Sequence, residues 1–463
     1  MTSYKARKVR LYPTPAQVRQ LELQFRANRW CWNQLLEIQK ERYKNKEKHL
    51  SEFGMNYLIK PLREKVGNEW VQSVSANAFL AVSKQLANAY KGFFDKTKGE
   101  PNFKSRKNPR ASATFSESLK VFPKEKGNGR LQMPKFTKKN TIKFRGSSQE
   151  APAGGTLKTV TVTRNSIGQY FASLSYEITK DPVPTLPFGE DTTIGIDLGA
   201  KTFATLSDGR AFHKPKSVEA LAPRIVKLQQ KLARCEKGSK RRERVRHKLA
   251  KLHIRQSNRR LDWLHKLTRQ LVDENQVNCF AVEKLDVASM LQTAPSSLAR
   301  KVQDSCFGMF PVLLAQKLEA VGKTLGVIDQ YAPSSKTCSS CGHLYKELTL
   351  AEREWTCASC GETHDRDLNA SKNIKQMWLA QCGVAERNEP SGGRLADILP
   401  FADGFAEDMT ELGSPDDEVS ESNVKPSGVA FTLVPCVSSR KGASQVKRLL
   451  PSPKGCFGTE RLG

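Results

Sequence analysis

Cys338-x2-Cys341 and, fifteen residues on, Cys357-x2-Cys360 constrain the geometry of this chain more than any other feature of its sequence. Two close thiolate pairs on turns can close a tetrahedron around zinc, with Zn–S bonds of about 2.3 Å and no open position for chemistry. The segment therefore reads as a zinc ribbon holding one structural ion. It contains little apolar material, so metal ligation supplies much of its folding free energy. The alternative is four reduced cysteines without a metal. His343 and His364 flank the pairs and read as surface or cap residues, because four thiolates already complete the site. The other cysteines, among them Cys31, Cys235, Cys279, Cys306 and Cys382, show no paired spacing.

The chain is 463 residues long, enough for two to four domains, and its formal charge is +29. Hydrophobic residues make up 38% of it, which allows a core beneath a polar surface. No apolar run approaches the roughly 18 residues that span a membrane. The start, MTSYKARKVRLYPTP, is basic but has no apolar stretch of signal-peptide type. A soluble intracellular protein with a polyanionic partner is expected. The charge is uneven: residues 380–463 hold nine Lys/Arg against twelve Asp/Glu, leaving about +32 on residues 1–379. That tail is rich in Ser, Gly and Pro without sustained periodicity and reads as disordered, or as a short interaction segment.

A strand-like stretch at 5–12 precedes Thr14-Pro15, a helix start with proline in the first turn. Helical patterning runs over about 16–46, and a second helix fits 73–94. After Gly99-Glu100-Pro101 the texture changes to short strands up to about Asp181, with a hairpin signal at Asn165-Ser166-Ile167-Gly168. Residues 193–212 read as strands meeting at Asp208-Gly209. From Arg224 to Arg260 runs a long helix or helix hairpin with fifteen Lys/Arg against Glu236 and Glu243. A strand at 279–285, a helix near 310–321 and a strand at 325–329 follow, which argues for a mixed α/β domain.

Phosphodiester hydrolysis needs charge neutralisation and a positioned water, which two divalent cations about 4 Å apart on carboxylates supply. Such ions prefer hard oxygen ligands. Asp197 follows the apolar strand of IGIDLG, where following glycines allow close backbone approach. Glu283 ends the strand FAVE, and Asp367 lies in DRDLNASKNI at a helix start. Each has a plainer reading: a turn former, an ion-pair partner of a lysine, and a helix cap.

Together with the cysteines, these residues resemble the RuvC-like nuclease of TnpB/OrfB insertion-sequence proteins, relatives of type V CRISPR effectors and Fanzors. The resemblance covers about residues 5–377. It is carried by LYPTPAQ, PNFKSRK, GIDLGAKTFATLSDG, the GSKRRERVRHKLAKLHIRQSNRRLDWLHKLT stretch, VEKLDVASML, TCSSCGH and CASCGETHDRDLNASKNI. It implies an α/β plus β chain: an RNase H-like (RuvC) domain with an inserted zinc ribbon, an N-terminal wedge β-barrel with a helical recognition insertion, and a disordered tail. The implied divisions are 1–15 and 100–181 for the wedge, 16–99 for the recognition lobe, 190–333 and 363–379 for the nuclease, 334–362 for the ribbon and 380–463 for the tail. It also implies catalytic, magnesium-binding roles for Asp197, Glu283 and Asp367, with Asp365 an alternative to the last. Ser371 stands where the family often has a second alanine after Asn-Ala.

Basic residues without sequence-reading geometry suit backbone contact and counterion release. Lys104, Arg106 and Lys107, then Lys240, Arg241, Arg242, Arg244, Arg246, Lys248, Arg255, Arg259 and Arg260, are the expected nucleic-acid contacts. A solvated helix face is the plainer alternative. By the resemblance, the partners are a guide RNA and double-stranded target DNA cut beside a short target-adjacent motif. The setting would be the cytoplasm and nucleoid of a prokaryote, with a monomer favoured. A guided DNA-binding repressor and a strand-transfer transposase are the rival readings.

Overall fold

A computed structural model describes residues 2–383 apart from short breaks at 109, 125–126, 137–139, 147–151, 180, 216, 218–219, 275, 294–305 and 350–351. The tail expected from residue 380 lies, from 384 onward, outside the described residues.

The chain opens with β1 (Thr2–Tyr12), then α1 (Pro15–Lys44), α2 (Glu52–Glu64), a single turn α3 (Glu69–Gln72) and α4 (Asn77–Phe94). Helix α1 begins where Thr14-Pro15 predicts. The Thr14 side chain accepts from the Gln17 backbone N–H, and the Gln17 side chain accepts from the Thr14 backbone N–H, at 2.9 Å. This reciprocal cap satisfies two otherwise unpaired amides. The second helix starts at Asn77 rather than near Ser73, because the chain first makes α3. Leu35, Leu36, Met55, Phe79 and Leu86 form the core of this helical unit.

Six strands follow: β2 (Ala111–Phe115), β3 (Lys120–Pro123), β4 (Gly129–Gln132), β5 (Ile142–Arg145), β6 (Thr156–Arg164) and β7 (Tyr170–Thr179). With β1 they build an antiparallel sheet in the order β2-β6-β7-β1-β5-β4-β3. Its ladder is open between β2 and β3 among the described residues, so the pairing seen is that of a sheet rather than a closed barrel. Alternation places Val9 and Leu11 of β1 in the core and Lys8, Arg10 and Tyr12 on the outer face. The hairpin expected at 165–168 joins β6 to β7.

The C-terminal half holds β8 (Thr193–Asp197), β9 (Ala204–Leu206), β10 (Ala211–Phe212), α5 (Ala222–Ala233), α6 (Lys240–Val272), β11 (Cys279–Glu283), α7 (Val287–Thr293), α8 (Met309–Glu319), β12 (Thr324–Ile328), β13 (Glu354–Thr356), β14 (Thr363–Asp365) and α9 (Arg366–Gln381). The five-stranded sheet runs β10-β9-β8-β11-β12, with β8, β11 and β12 parallel. The four residues preceding the terminal acid are all buried in both β8 and β11, as strands covered on both faces require. One face packs on Leu264, Leu267 and Leu271 of α6 and on Phe310 and Leu314 of α8. The other receives Ile374, Met377 and Trp378 of α9.

Helix α9 comes close because two strand positions lack a Cβ. A methyl on Gly195 would fall inside contact distance of the Ser371 carbonyl oxygen, and one on Gly326 would enter the Trp378 ring. Gly195→Val should therefore destabilise the protein by ~3 kcal/mol or more, since backbone cannot move aside as a side-chain tip can. Urea denaturation measures this, and an unchanged midpoint would contradict the close packing. The glycine after Asp197 has a different task from the one expected. A Cβ on Gly199 would meet the Thr202 carbonyl oxygen, and its N–H donates to the Phe203 carbonyl oxygen at 3.2 Å, so it fits the turn into β9 rather than a ligand.

Candidate active site

Asp197 and Glu283 end adjacent parallel strands, whose register pairs Ile196 with Val282 one residue earlier. Both carboxylates thus emerge at the C-terminal edge of the sheet, although 86 positions separate them in sequence. Asp367 reaches the same edge from the first turn of α9. Asp365, the alternative, is the N-cap: its Oδ1 accepts from the Leu368 N–H at 2.8 Å, leaving Asp367 free of the capping role.

The electrostatics bind the three together. Burial pushes the Asp197 carboxyl up to about 7, and the negative charges of Asp367 and then Glu283 push the same way, against Arg366 and the Leu198 amide. Burial also raises Glu283 to about 7, opposed by the Ser334 hydroxyl, which donates to its Oε2 at 3.0 Å, and assisted by Asp329. Asp329 is an acid missed in the sequence reading. It stands one residue past β12, so three neighbouring parallel strands each end at a carboxylate. The signal was present in LGVID, as a repeat of the apolar-run-then-acid pattern of IGID and FAVE.

Asp367 carries a counter-charge. Arg353, just before β13, donates from Nη1 to both of its oxygens at 3.0 and 2.9 Å, and Arg366 lies 3.6 Å away. Among the described residues, only the four thiols gather so that all ligand atoms lie within 4.8 Å; the three carboxylates are set more widely. Their donor chemistry still fits a hard divalent cation: half-buried carboxylate oxygens, with Asp197 in the field of the other two.

Burial of these acids gives a pH signature. In the native state Asp197 and Glu283 hold their protons up to about 7, whereas unfolded carboxyls lose theirs near 4. Between those limits the native state binds more protons, so the stability they contribute is full below pH ~4 and lost as pH rises to 7. Without added divalent cation, the urea midpoint should fall from pH 5 to pH 8, and manganese should restore it at pH 8. A midpoint that rises with pH would contradict this arrangement.

The zinc expectation fits the thiol geometry. Sγ–Sγ separations are 3.7 Å for Cys338–Cys360 and 3.5 Å for Cys341–Cys357. A tetrahedron of ~2.3 Å bonds has edges of about 3.8 Å. Each pair sits on a tight turn: the Gly342 N–H donates to the Cys338 carbonyl oxygen and the Gly361 N–H to that of Cys357, both at 2.9 Å. Both glycines have positive φ, +77° and +73°, as these turns require. His343 is exposed as expected. His364 is not a surface residue: it is buried opposite Trp355 in the β13–β14 pair, with Nε2 3.0 Å from Cys338 Sγ.

The basic residues divide. Lys240, Arg241, Arg244, Arg246, Lys248 and Arg255 are exposed on α6, and Arg106 and Lys107 are exposed beside α1. Arg260 is buried, because its helix face turns into the protein, and is corrected from surface contact to internal residue. Arg242 donates to the Leu232 and Cys235 carbonyl oxygens at 3.0 and 3.2 Å, closing the α5–α6 hairpin, and Arg259 donates to the Ser217 carbonyl oxygen. The Lys104 ammonium lies 3.8 Å from the Trp32 ring centroid, pinning its loop to α1. A cleft of about 610 Å³ separates α6, with Lys251, Arg255 and Arg259, from Arg10 and Phe171 of the antiparallel sheet. Arg10 and Lys251 were not singled out from sequence. Period-two alternation in KVRLY, which turns Lys8, Arg10 and Tyr12 outward, could have found the first.

Parallel strands ending at acids, faced by a helix that brings another, define a RuvC-type nuclease fold. The chain belongs to the TnpB/OrfB family. The model OrfB_IS605, described as "Probable transposase", matches residues 173–294, and the model described as "Cas12f1-like, TNB domain" matches 307–374. A third model, "Helix-turn-helix domain", matches 1–48, which here form one strand and one long helix. The chain is 34% identical over 392 residues to a Streptomyces pristinaespiralis protein named "Putative RNA-guided DNA endonuclease", covering 84% of this chain and 94% of that one. It is 27% identical to "Putative RNA-guided DNA endonuclease InsQ" of Escherichia coli (strain K12), over 75% of this chain and 86% of the relative. Its fold is similar to the protein in "Cryo-EM structure of the Cas12f1-sgRNA-target DNA complex", with a TM-score of 0.53 and 13% identity, over 81% of this chain and 98% of that one. No helix among the described residues is long and apolar enough to cross a membrane.

Proposed function

We propose that this protein is an RNA-guided DNA endonuclease of a mobile element, cutting target DNA beside a short target-adjacent motif at Asp197, Glu283 and Asp367. The observation that carries the reading is the shared field of three carboxylates at one sheet edge, with Asp197 raised by burial and by the charges of Asp367 and Glu283. A chain without need of a cation would not bring buried acids of one sign together, since their repulsion costs stability. Magnesium bound there would neutralise charge at the scissile phosphate and acidify a water. A bound cation would favour the ionised forms of Asp197 and Glu283 below pH ~7, which couples the site to metal and to pH. Ser334 fixes the orientation of Glu283 through its hydroxyl, and Arg353 places a cation beside Asp367 where a phosphate would approach.

In this reading residues 1–15 and 100–181 form the wedge and 16–99 the recognition lobe. The exposed cations of α6 grip the nucleic-acid backbone in a salt-dependent way. The test is to purify the protein with its RNA, sequence that RNA, and assay a plasmid carrying the matching target with magnesium. Cutting that needs both RNA and magnesium supports the reading. Binding without cutting would favour a guided repressor, and strand joining without RNA a transposase.

A further inference from the structure

We propose that Tyr331 stacks on a nucleobase of the DNA strand beside the phosphate cleaved at the acidic edge, a role that rests on the nuclease reading above. Strand β12 ends at Ile328, level with Glu283 in the parallel register, so the chain that follows crosses the acidic edge of the sheet. That crossing is pinned at both ends. At its start the Tyr331 N–H donates to Asp329 Oδ1 at 2.8 Å, and the Ala332 N–H to the Asp329 carbonyl oxygen at 3.2 Å. At its end the Ser334 N–H donates to the Ala332 carbonyl oxygen at 2.7 Å, and the Ser334 hydroxyl to Glu283 Oε2 at 3.0 Å. The Tyr331 side chain is therefore carried on a fixed loop, three residues from a direct contact with a candidate metal ligand.

Its ring is left in water. Tyr331 is 84% exposed, whereas the other exposed large hydrophobics described beyond residue 190, Leu291, Val321 and Leu344, stand at 37–41% and none is aromatic. One ring preceded by Asp329 and Gln330 is too small a patch for a protein partner. A nucleobase suits it: every base presents a π-face, stacking needs no particular sequence, and a tyrosine with two side-chain torsions is ordered at small entropic cost. An enzyme guided by base pairing elsewhere would need this sequence-tolerant hold near the reacting phosphate.

The probe is a single-stranded DNA carrying 5-iododeoxyuridine, photo-crosslinked to the full-length Glu283→Gln protein purified with its RNA, so no cutting is required. Mass spectrometry should map a crosslink to the peptide containing Tyr331, lost in Tyr331→Ala and kept in Tyr331→Phe. In the active protein, Tyr331→Ala should raise KM for single-stranded DNA about 5- to 150-fold, the equivalent of ~1–3 kcal/mol per stacked base, with kcat little changed. Tyr331→Phe should behave as the parent, because the ring and not the hydroxyl stacks. No crosslink at Tyr331, an unchanged KM in the alanine variant, or a phenylalanine variant as impaired as alanine would each overturn the proposal. If the protein fails to cut any DNA, the endonuclease reading falls, while the crosslink still decides whether Tyr331 meets a base.

Discussion

Asp197→Ala is expected to abolish DNA cutting, by about a thousandfold or more, while leaving RNA binding intact and making the cation-free protein more stable at pH 8. The first effect follows from removing a carboxylate from the centre of the acidic trio, where charge neutralisation is worth several kcal/mol in the transition state. The second follows because Asp197 ends β8 and is not one of the exposed cations of α6 expected to meet the nucleic-acid backbone. The third is the discriminating one. An acid raised from 3.8 to about 7 is held ionised at pH 8 at a cost of ~4 kcal/mol, so its removal should relieve part of that strain. A merely structural aspartate would behave in the opposite way, losing stability on replacement. Cutting retained by this variant, or a fall in its urea midpoint at pH 8, would end the assignment of Asp197 as a metal-holding acid.

Cys341→Ser should release one zinc per chain, unfold the ribbon and lower cutting at least tenfold, while the antiparallel sheet keeps its protection from hydrogen exchange. The ribbon's own core is small, with Leu348, Trp355 and the buried Cys338 and Cys357 packed against Tyr345. Such a cluster cannot offset the entropy of ordering the segment, whereas structural zinc contributes about 10–16 kcal/mol in small finger peptides. The effect reaches the acidic centre because the ribbon is stitched to α9. Asn369 donates to the Thr337 carbonyl oxygen at 2.7 Å and accepts from the Ser339 N–H at 2.9 Å, and Asn373 donates to the Ser334 and Thr337 carbonyl oxygens. Arg353, which pairs Asp367, also belongs to this segment. Exchange measurements over residues 337–365 with metal analysis test it; a variant that keeps its zinc and its protected ribbon would show that three thiolates suffice.

The two effects separate what each half of the site needs. Asp197 and Glu283 are held by strand ends and by burial, at a cost to the cation-free protein that falls with acidity. The thiols are held by short turns and are expected to depend on an ion for their fold.

Local spacing made much of this readable before any coordinates. Thr14-Pro15 starts a helix because one hydroxyl and one fixed φ act within four residues. The cysteine pairs converge because each knuckle is a five-residue turn closed by a glycine amide. The strands of IGID and FAVE were legible as apolar runs, and the acids at their ends as charges costly beside such runs. Tertiary packing alone decided the rest. The helical period of α6 does not say that Arg260 faces inward while Arg255 faces out; its neighbours on other elements do. Nothing near Asp367 in sequence names Arg353 as its partner, fourteen positions back across a folded ribbon. Nor does the glycine of IGID announce that it admits a helix nearly two hundred residues away. Turn and helix geometry is written in adjacent residues, whereas counter-charge, burial and close approach depend on which distant surfaces meet.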